Sequence, residues 1–291
     1  MDAPGVFLTC RTLLVTPGNR PDRLAKGLER CADGLLIDLE DAVPPDEKSA
    51  AREAADAFVA GLAPRPGRPV VGLRLNAIDT AEGIADLAAV SGGLPPVDFV
   101  ALPKVEAARD VEIVRALHPT VPLMAIVETA RGIDDVTAIA AVVGRGGALG
   151  FGGADYCQQL GVPLTWEATA EARARVVRAA ARADLAAFDV PSLAIGRPDA
   201  VAAEARAARA LGFTGKLAIH PEQIGPILDA FTPDDAEIRR ARAIVDGYEG
   251  ADGRAVRVEG RMIDVPVYRS ARKVLARAGA FAPPSSPEPP E

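Results

Sequence analysis

The chain has 291 residues, 49 % of them apolar, which suits one large α/β domain or two small ones with ample material for a core. A net charge of −7 and a pI near 5.1 exclude general binding to polyanions, and an aromatic share of 4 % excludes a stacking platform for single-stranded nucleic acid. A phosphate-bearing small molecule stays compatible, since a few local Arg and Lys suffice for it.

Apolar runs alternate with Ala/Arg/Glu-rich stretches along the chain. "TLLVTPGN" reads as strand and loop, then "PDRLAKGLERCA" as a helix with Pro21 in its first turn. "GLLIDL", "PVVGLRLN", "VDFVALPK", "VPLMAIVE", "GALGFG" and "KLAIH" read as further strands, and "VPSLAI" as a weaker one. Helices are expected at "DEKSAAREAADAFVAGL", "TAEGIADLAAV", "EAARDVEIVRAL", "ARGIDDVTAIAAVV", residues 166–188, "PDAVAAEARAARALG" and "PEQIGPILDAF". That makes eight β-α units, the count of a closed (β/α)8 barrel, and the continuous apolar runs suit strands buried on both faces. A doubly wound open sheet needs fewer units, and no GxGxxG follows the first strand.

The barrel is expected to span residues 1–232. Residues 233–279, helix, Gly-punctuated hairpin and helix, read as an appendage, and the Pro-rich end, 280–291, as a disordered tail. Cys10, Cys31 and Cys157 are odd in number and without metal-like spacing, so they read as reduced, buried thiols of a cytoplasmic protein. No apolar run is long enough to span a bilayer. The start, "MDAPGVFLTCRTLLV", is interrupted by Arg11 and lacks a basic opening, so it does not read as a signal peptide.

In such a barrel, function collects where strands end. The polar residues there are Asp38, Glu40 and Asp41, Arg74 with Asn76, Lys104, Glu128, Asp155 and His220. Carboxylates at the end of a buried strand lose hydration at a cost, so they either cap a helix or face something positive. Glu128 and Asp155, at neighbouring strand ends, suit a hard divalent cation such as Mg2+; helix capping or pairing with Arg131 and nearby Lys is the alternative. The glycines of "GFGGAD" let backbone approach a ligand closely, which puts Gly152, Gly153 and Ala154 beside the substrate. Arg74 needs a partner inside its strand. It can pair with Asp38 or Glu40, or hold a carboxylate or enolate oxygen with its planar fork. "TPGNRPDRLAK" lacks the GK[ST] of a P-loop, yet Asn19, Arg20 and a helix N-terminus can receive phosphate there. His220 reads as a strand-end histidine satisfied by hydrogen bonds, and His118 falls at the opposite barrel end. No GxSxG supports Ser/His/Asp hydrolysis.

"RTLLVTPGNRPDRLAKGLERCADGLLIDLEDAVPPDEKSAAR", "LRLN", "ALPKVE", "IVETARG", "GFGGADYCQQLGV", "GKLAIHPEQI" and "EGRMIDVPV" occur in this order. As a set, from about residue 8 to 278, they resemble the citrate lyase beta subunit and malyl-CoA lyase family. The resemblance implies a Mg2+-dependent TIM barrel that cleaves or forms C–C bonds of short 3-hydroxyacyl thioesters such as malyl-, methylmalyl- or citramalyl-CoA. It implies Glu128 and Asp155 as the metal ligands, and Arg74 on the substrate carboxylate or thioester oxygen. Asn19, Arg20 and Lys26 would lie near the CoA pantetheine and phosphates. Asp264 of "MID" would be the acid/base, often across a subunit contact. Asp38, Glu40 and Asp41 match the family's "DLEDAV", with the expected work of holding metal waters, orienting Arg74 and Lys104, and capping the next helix. A homotrimer or hexamer is expected on the same ground. Thr16 departs from the usual proline, and "PSLAIGRPDA" lacks an acidic residue near Ile195, which bears on acyl specificity. A malyl-CoA thioesterase, a citrate lyase beta subunit working in a complex, and a non-catalytic CoA-binding barrel remain the other readings.

Overall fold

The computed structural model describes residues 5–30, 33–64, 68–91 and 96–281. Its strands are β1 (Thr12–Pro17), β2 (Gly34–Asp38), β3 (Val70–Arg74), β4 (Phe99–Leu102), β5 (Leu123–Val127), β6 (Ala148–Phe151), β7 (Ala186–Asp189) and β8 (Gly215–Ala218). They pair in parallel in chain order, and β8 closes on β1 through Thr12 opposite Lys216. The helices outside are α1 (Pro21–Glu29), α2 (Lys48–Ala60), α3 (Ala81–Ser91), α4 (Ala108–Leu117), α5 (Ala130–Val143), α6 (Gly153–Leu160), α7 (Trp166–Arg182), α8 (Pro198–Leu211) and α9 (Ile224–Phe231). This is a (β/α)8 TIM barrel.

The alternation of side chains along a strand sorts the apolar runs into two cores. Leu35, Ile37, Val71, Leu73, Val100, Leu102, Ala125 and Val127 join helix residues in the larger cluster, between strands and helices. Their neighbours Leu13, Leu36, Val70, Phe99, Ala101, Met124, Ile126, Ala148, Phe188 and Leu217 fill the barrel interior. Phe7, from a 3-10 turn ahead of β1, packs edge-on against Phe99 and Phe188 at centroid distances of 4.8 and 5.8 Å, which plugs the end where the strands begin. Gly72 makes room for that plug, because a Cβ there would lie 2.2 Å from the Phe99 ring.

Interior parity carried past the last apolar layer has a direct consequence. Two residues on from Leu36 comes Asp38; from Gly72, Arg74; from Ile126, Glu128. The polar strand ends therefore face the barrel mouth rather than the helices.

Two elements differ from the sequence reading. The seventh strand is Ala186–Asp189, and "VPSLAI" is loop. Its Ala-rich run had merged with the preceding helix, which ends at Arg182; the chain turns at Asp184, where φ is +55°. Pro191 cannot donate to a ladder, so residues 190–195 leave the sheet. Helix α6 has no counterpart among the expected helices, since glycine disfavours a helix; Gly153 stands at its first position and Gly161, left-handed at φ +70°, ends it.

A second compact unit begins at Thr232. It contains α10 (Asp235–Gly250), β9 (Val256–Val258), β10 (Arg261–Ile263) and α11 (Val265–Phe281). Asp234 and Glu237 cap α10 reciprocally. Glu259 and Gly260, both at positive φ, form the two-residue turn of the β9–β10 hairpin. Tyr248 and Tyr268 stack at 4.6 Å between α10 and α11. Residues 282–291, most of the tail expected to be disordered, lie outside the described residues, as does Cys31. Cys10 and Cys157 are buried. Among the described residues no helix is long and apolar enough to cross a membrane.

Candidate active site

Charged side chains from four successive strand ends meet at the barrel mouth. Arg74, last residue of β3, donates from Nε to Asp38 Oδ1 and from Nη2 to Asp38 Oδ2, both at 2.7 Å, in the fork geometry that suits a carboxylate. Its third nitrogen, Nη1, lies 2.9 Å from Glu40 Oε2 in an ion pair without hydrogen-bond alignment. The other Glu40 oxygen accepts from Lys104 Nζ, which also reaches Asp41 Oδ1 at 3.2 Å. Asp38 further accepts the amides of Glu40 and Ala42 at 2.8 and 3.1 Å. Burial alone would raise the Asp38 carboxyl, but the Arg74 guanidinium and these amides outweigh it and hold it below the ordinary range. Glu40 is pushed up, since burial outweighs Arg74 and Lys104.

Glu128 stands just beyond β5 and is 3 % exposed. Its Oε1 accepts the Lys104 backbone N–H at 2.7 Å. Its other oxygen lies over Gly152, where a Cβ would come within 2.1 Å; only glycine allows that approach. Burial, then the charges of Glu40 and Asp155, push the Glu128 carboxyl well above its usual range against the pull of Arg74. Asp155, half-buried in the first turn of α6, is the nearby acid of the pair. The capping alternative fails for Glu128, because Thr129 caps α5 by accepting from Gly132 N. Pairing with Arg131 fails too, since that residue faces Glu106 at 3.6 Å.

These residues fit a divalent cation. Arg74 and Lys104 are committed to Asp38, Glu40 and Asp41, and the pull of Arg74 falls short of offsetting burial and the repulsion of Glu40 and Asp155 at Glu128. Among the described residues no cluster of three or more His, Cys, Asp or Glu could hold a metal. Two carboxylates with water completing the shell is the arrangement Mg2+ favours.

Lys48 was missed in the sequence. It is buried, and its Nζ donates to Leu39 O, Glu40 O and Asn76 Oδ1 at 2.7–2.8 Å. Asn76 is itself held by Asp86, which accepts from Asn76 N, Asn76 Nδ2 and Arg52. Lys48 thus ties down the backbone that carries Glu40. A second buried set, Arg173, Asp189 and Lys216, lies between strands and helices. Asp189 accepts from Arg173 Nε at 2.7 Å and Lys216 Nζ at 2.8 Å. Arg173 stacks on Trp166 and Phe151, 4.7 and 5.2 Å from their centroids, behind the Gly152 loop. A lysine inside the apolar run "GKLAIH" was the available signal.

The residues expected to meet CoA around the start of α1 stand outside this network. Asn19 and Arg20 are half-buried, Asn19 donating to Glu47 and Arg20 pairing with Asp22, while Lys26 is exposed on α1. Gly153 is buried and Ala154 exposed at the start of α6. Asp264 belongs to the second unit, where it is exposed and accepts from Val267 N at 3.3 Å at the head of α11. His220 accepts from Glu222 N at 3.3 Å, so it serves as a strand-end cap.

The profile of the HpcH/HpaI aldolase/citrate lyase family matches residues 11–221. The chain is 34 % identical to a (3S)-malyl-CoA thioesterase of Cereibacter sphaeroides over 284 residues, 94 % of this chain and 95 % of the relative. It is 30 % identical to an L-malyl-CoA/beta-methylmalyl-CoA lyase of Cereibacter sphaeroides over 303 aligned positions, 92 % of this chain and 94 % of the relative. Among solved structures it is similar to protein CitE of Mycobacterium tuberculosis in complex with magnesium, acetoacetate and coenzyme A. That match has a TM-score of 0.77 and 32 % identity, and covers 93 % of this chain and 98 % of the other.

Proposed function

Because the chain belongs to the HpcH/HpaI aldolase/citrate lyase family, we propose that it is a Mg2+-dependent carbon–carbon lyase, or Claisen-type synthase in reverse. Its substrate is a short 3-hydroxyacyl-CoA dicarboxylate thioester such as malyl-, methylmalyl- or citramalyl-CoA. The products are acetyl-CoA or propionyl-CoA with glyoxylate or pyruvate. The observation that carries this reading is the buried Glu128, its charge only partly offset, beside Asp155 and next to a guanidinium already fixed in place.

Glu128 and Asp155 would hold the Mg2+, whose chemistry when bound is to act as a Lewis acid toward substrate oxygens. Arg74, kept from rotating by Asp38 and Glu40, offers a fixed positive charge to the thioester oxygen as an enolate develops. A single good donor of that kind contributes about 3–4 kcal/mol. Asp264 would give a proton to the enolate carbon in cleavage and take it back in synthesis. Asn19, Arg20 and Lys26 would meet CoA, the first two exchanging Glu47 and Asp22 for the ligand. A cytoplasmic homotrimer or hexamer, with Asp264 supplied across a subunit contact, completes the proposal.

The test is a mass-spectrometric screen of the three thioesters with Mg2+, run on the wild type, Glu128→Ala and Asp155→Ala. Acetyl-CoA or propionyl-CoA is expected from the wild type and absent from both variants; full activity in either variant overturns the metal assignment. The thioesterase relative supports a second reading, in which water attacks the thioester carbonyl at the same site. Free CoA released without glyoxylate or pyruvate would decide for it.

A further inference from the structure

Lys104 stands out in the network for its backbone. It follows Pro103 just past β4 and adopts φ +50°, a left-handed conformation that a residue with a Cβ adopts only at a cost. Its neighbours stay regular: Val105 N donates to Ile126 O at 3.1 Å, continuing the pairing of β4 with β5. At Lys104 the chain instead turns its N–H to Glu128 Oε1, at 2.7 Å. The same residue's Nζ is anchored on Glu40 and Asp41.

We propose that Lys104 is the positioning residue for Glu128: its left-handed backbone aims an N–H at the carboxylate, and its side-chain ion pairs with Glu40 and Asp41 hold that strained conformation in place. One residue thereby fixes both ends of the acidic cluster, and Gly152 confines the other Glu128 oxygen from the opposite side. The consequence for metal affinity rests on the functional reading above; the consequence for the amide does not.

Comparison of Lys104→Gly with Lys104→Ala separates backbone from charge. Both lose the ammonium. Glycine adopts the left-handed conformation without strain, whereas alanine keeps the strain and loses the ion pairs that offset it. In the metal-free protein, hydrogen exchange is expected to show the residue-104 amide protected in the wild type and the Gly variant and fast-exchanging in the Ala variant. Mn2+ titration followed by electron paramagnetic resonance is expected to give about tenfold weaker binding for Ala than for Gly, the size of the left-handed strain that a Cβ brings. Equal protection and equal Mn2+ affinity in the two variants would overturn the positioning role. A wild type that binds no Mn2+ but shows the exchange difference would sink the metal reading while the positioning role stands. Circular dichroism on each variant confirms that the fold is retained.

Discussion

Asp38 and Arg74 face each other from the ends of neighbouring strands and share two parallel hydrogen bonds of 2.7 Å. The carboxylate is fully buried and the guanidinium 15 % exposed. Removing Asp38 leaves the largely buried Arg74 with only its ion pair to Glu40. Asp38→Ala is therefore expected to lose about 3–5 kcal/mol in urea unfolding, the usual cost of breaking a buried pair. Arg74→Lys keeps the charge but not the fork. It should fold, with turnover reduced about 100–1,000-fold, the effect of losing one oxyanion-type donor. Wild-type turnover in Arg74→Lys would show that the fork is unnecessary.

The same pair sets an acid limb. The folded Asp38 carboxyl is held below its ordinary value, so the unfolded chain binds the proton more readily. The stabilisation is present above the ordinary aspartate pKa of about 3.9 and is lost as pH falls through the lower folded value. Urea unfolding of wild type and Asp38→Asn from pH 7 to pH 2.5 checks the sign. The stability gap should be widest near neutrality and close below about pH 4. A gap independent of pH would mean that the carboxylate's charge contributes nothing.

Gly152→Ala tests the geometry at Glu128. The new methyl would sit 2.1 Å from Glu128 Oε2 and 2.3 Å from its Cβ, a clash that the carboxylate must relieve by moving. Activity with Mg2+ is expected to fall at least about 100-fold, in line with the loss of near-attack geometry, while thermal unfolding shifts by only a few degrees. Unchanged Mg2+ dependence would place the working carboxylate elsewhere.

Much of this was legible because the physical signals were local. β2, β3 and β5 announce themselves as continuous apolar runs ending in charge, and interior parity alone sends Asp38, Arg74 and Glu128 to one mouth. β7 was lost because "AAFD" carries no β-branched residue and adjoins an Ala-rich helix. The choice among partners for Arg74 was open in the sequence, since Asp38 and Glu40 share a face; the fold shows it takes both. Lys48 stayed invisible because its three acceptors come from the loops after β2 and β3, which the parallel pairing of those strands brings together. Nor does any composition rule announce that Lys104 departs from ordinary backbone.

Lys48 supplies the remaining expectation. Its ammonium is the common donor to Leu39 O, Glu40 O and Asn76 Oδ1, so Lys48→Met keeps the apolar stem and strands Leu39 O and Asn76 Oδ1, while Glu40 O keeps the Val43 N–H at 2.9 Å. Each unsatisfied buried group costs about 1–3 kcal/mol, and water entering the site offsets part of the sum. The net loss in urea unfolding is expected to be about 3 kcal/mol, the upper end of what single substitutions commonly cost. The second effect is functional. With residues 39 and 40 released, Glu40 no longer presents a fixed oxygen to Arg74, and kcat should drop more than KM rises, because an interaction aimed at the transition state loses its orientation. Lys48→Arg, too bulky for the same three-way contact, should not rescue it. A variant that loses stability yet keeps wild-type kcat would confine Lys48 to a structural part, and Arg74 would then be oriented by Asp38 alone.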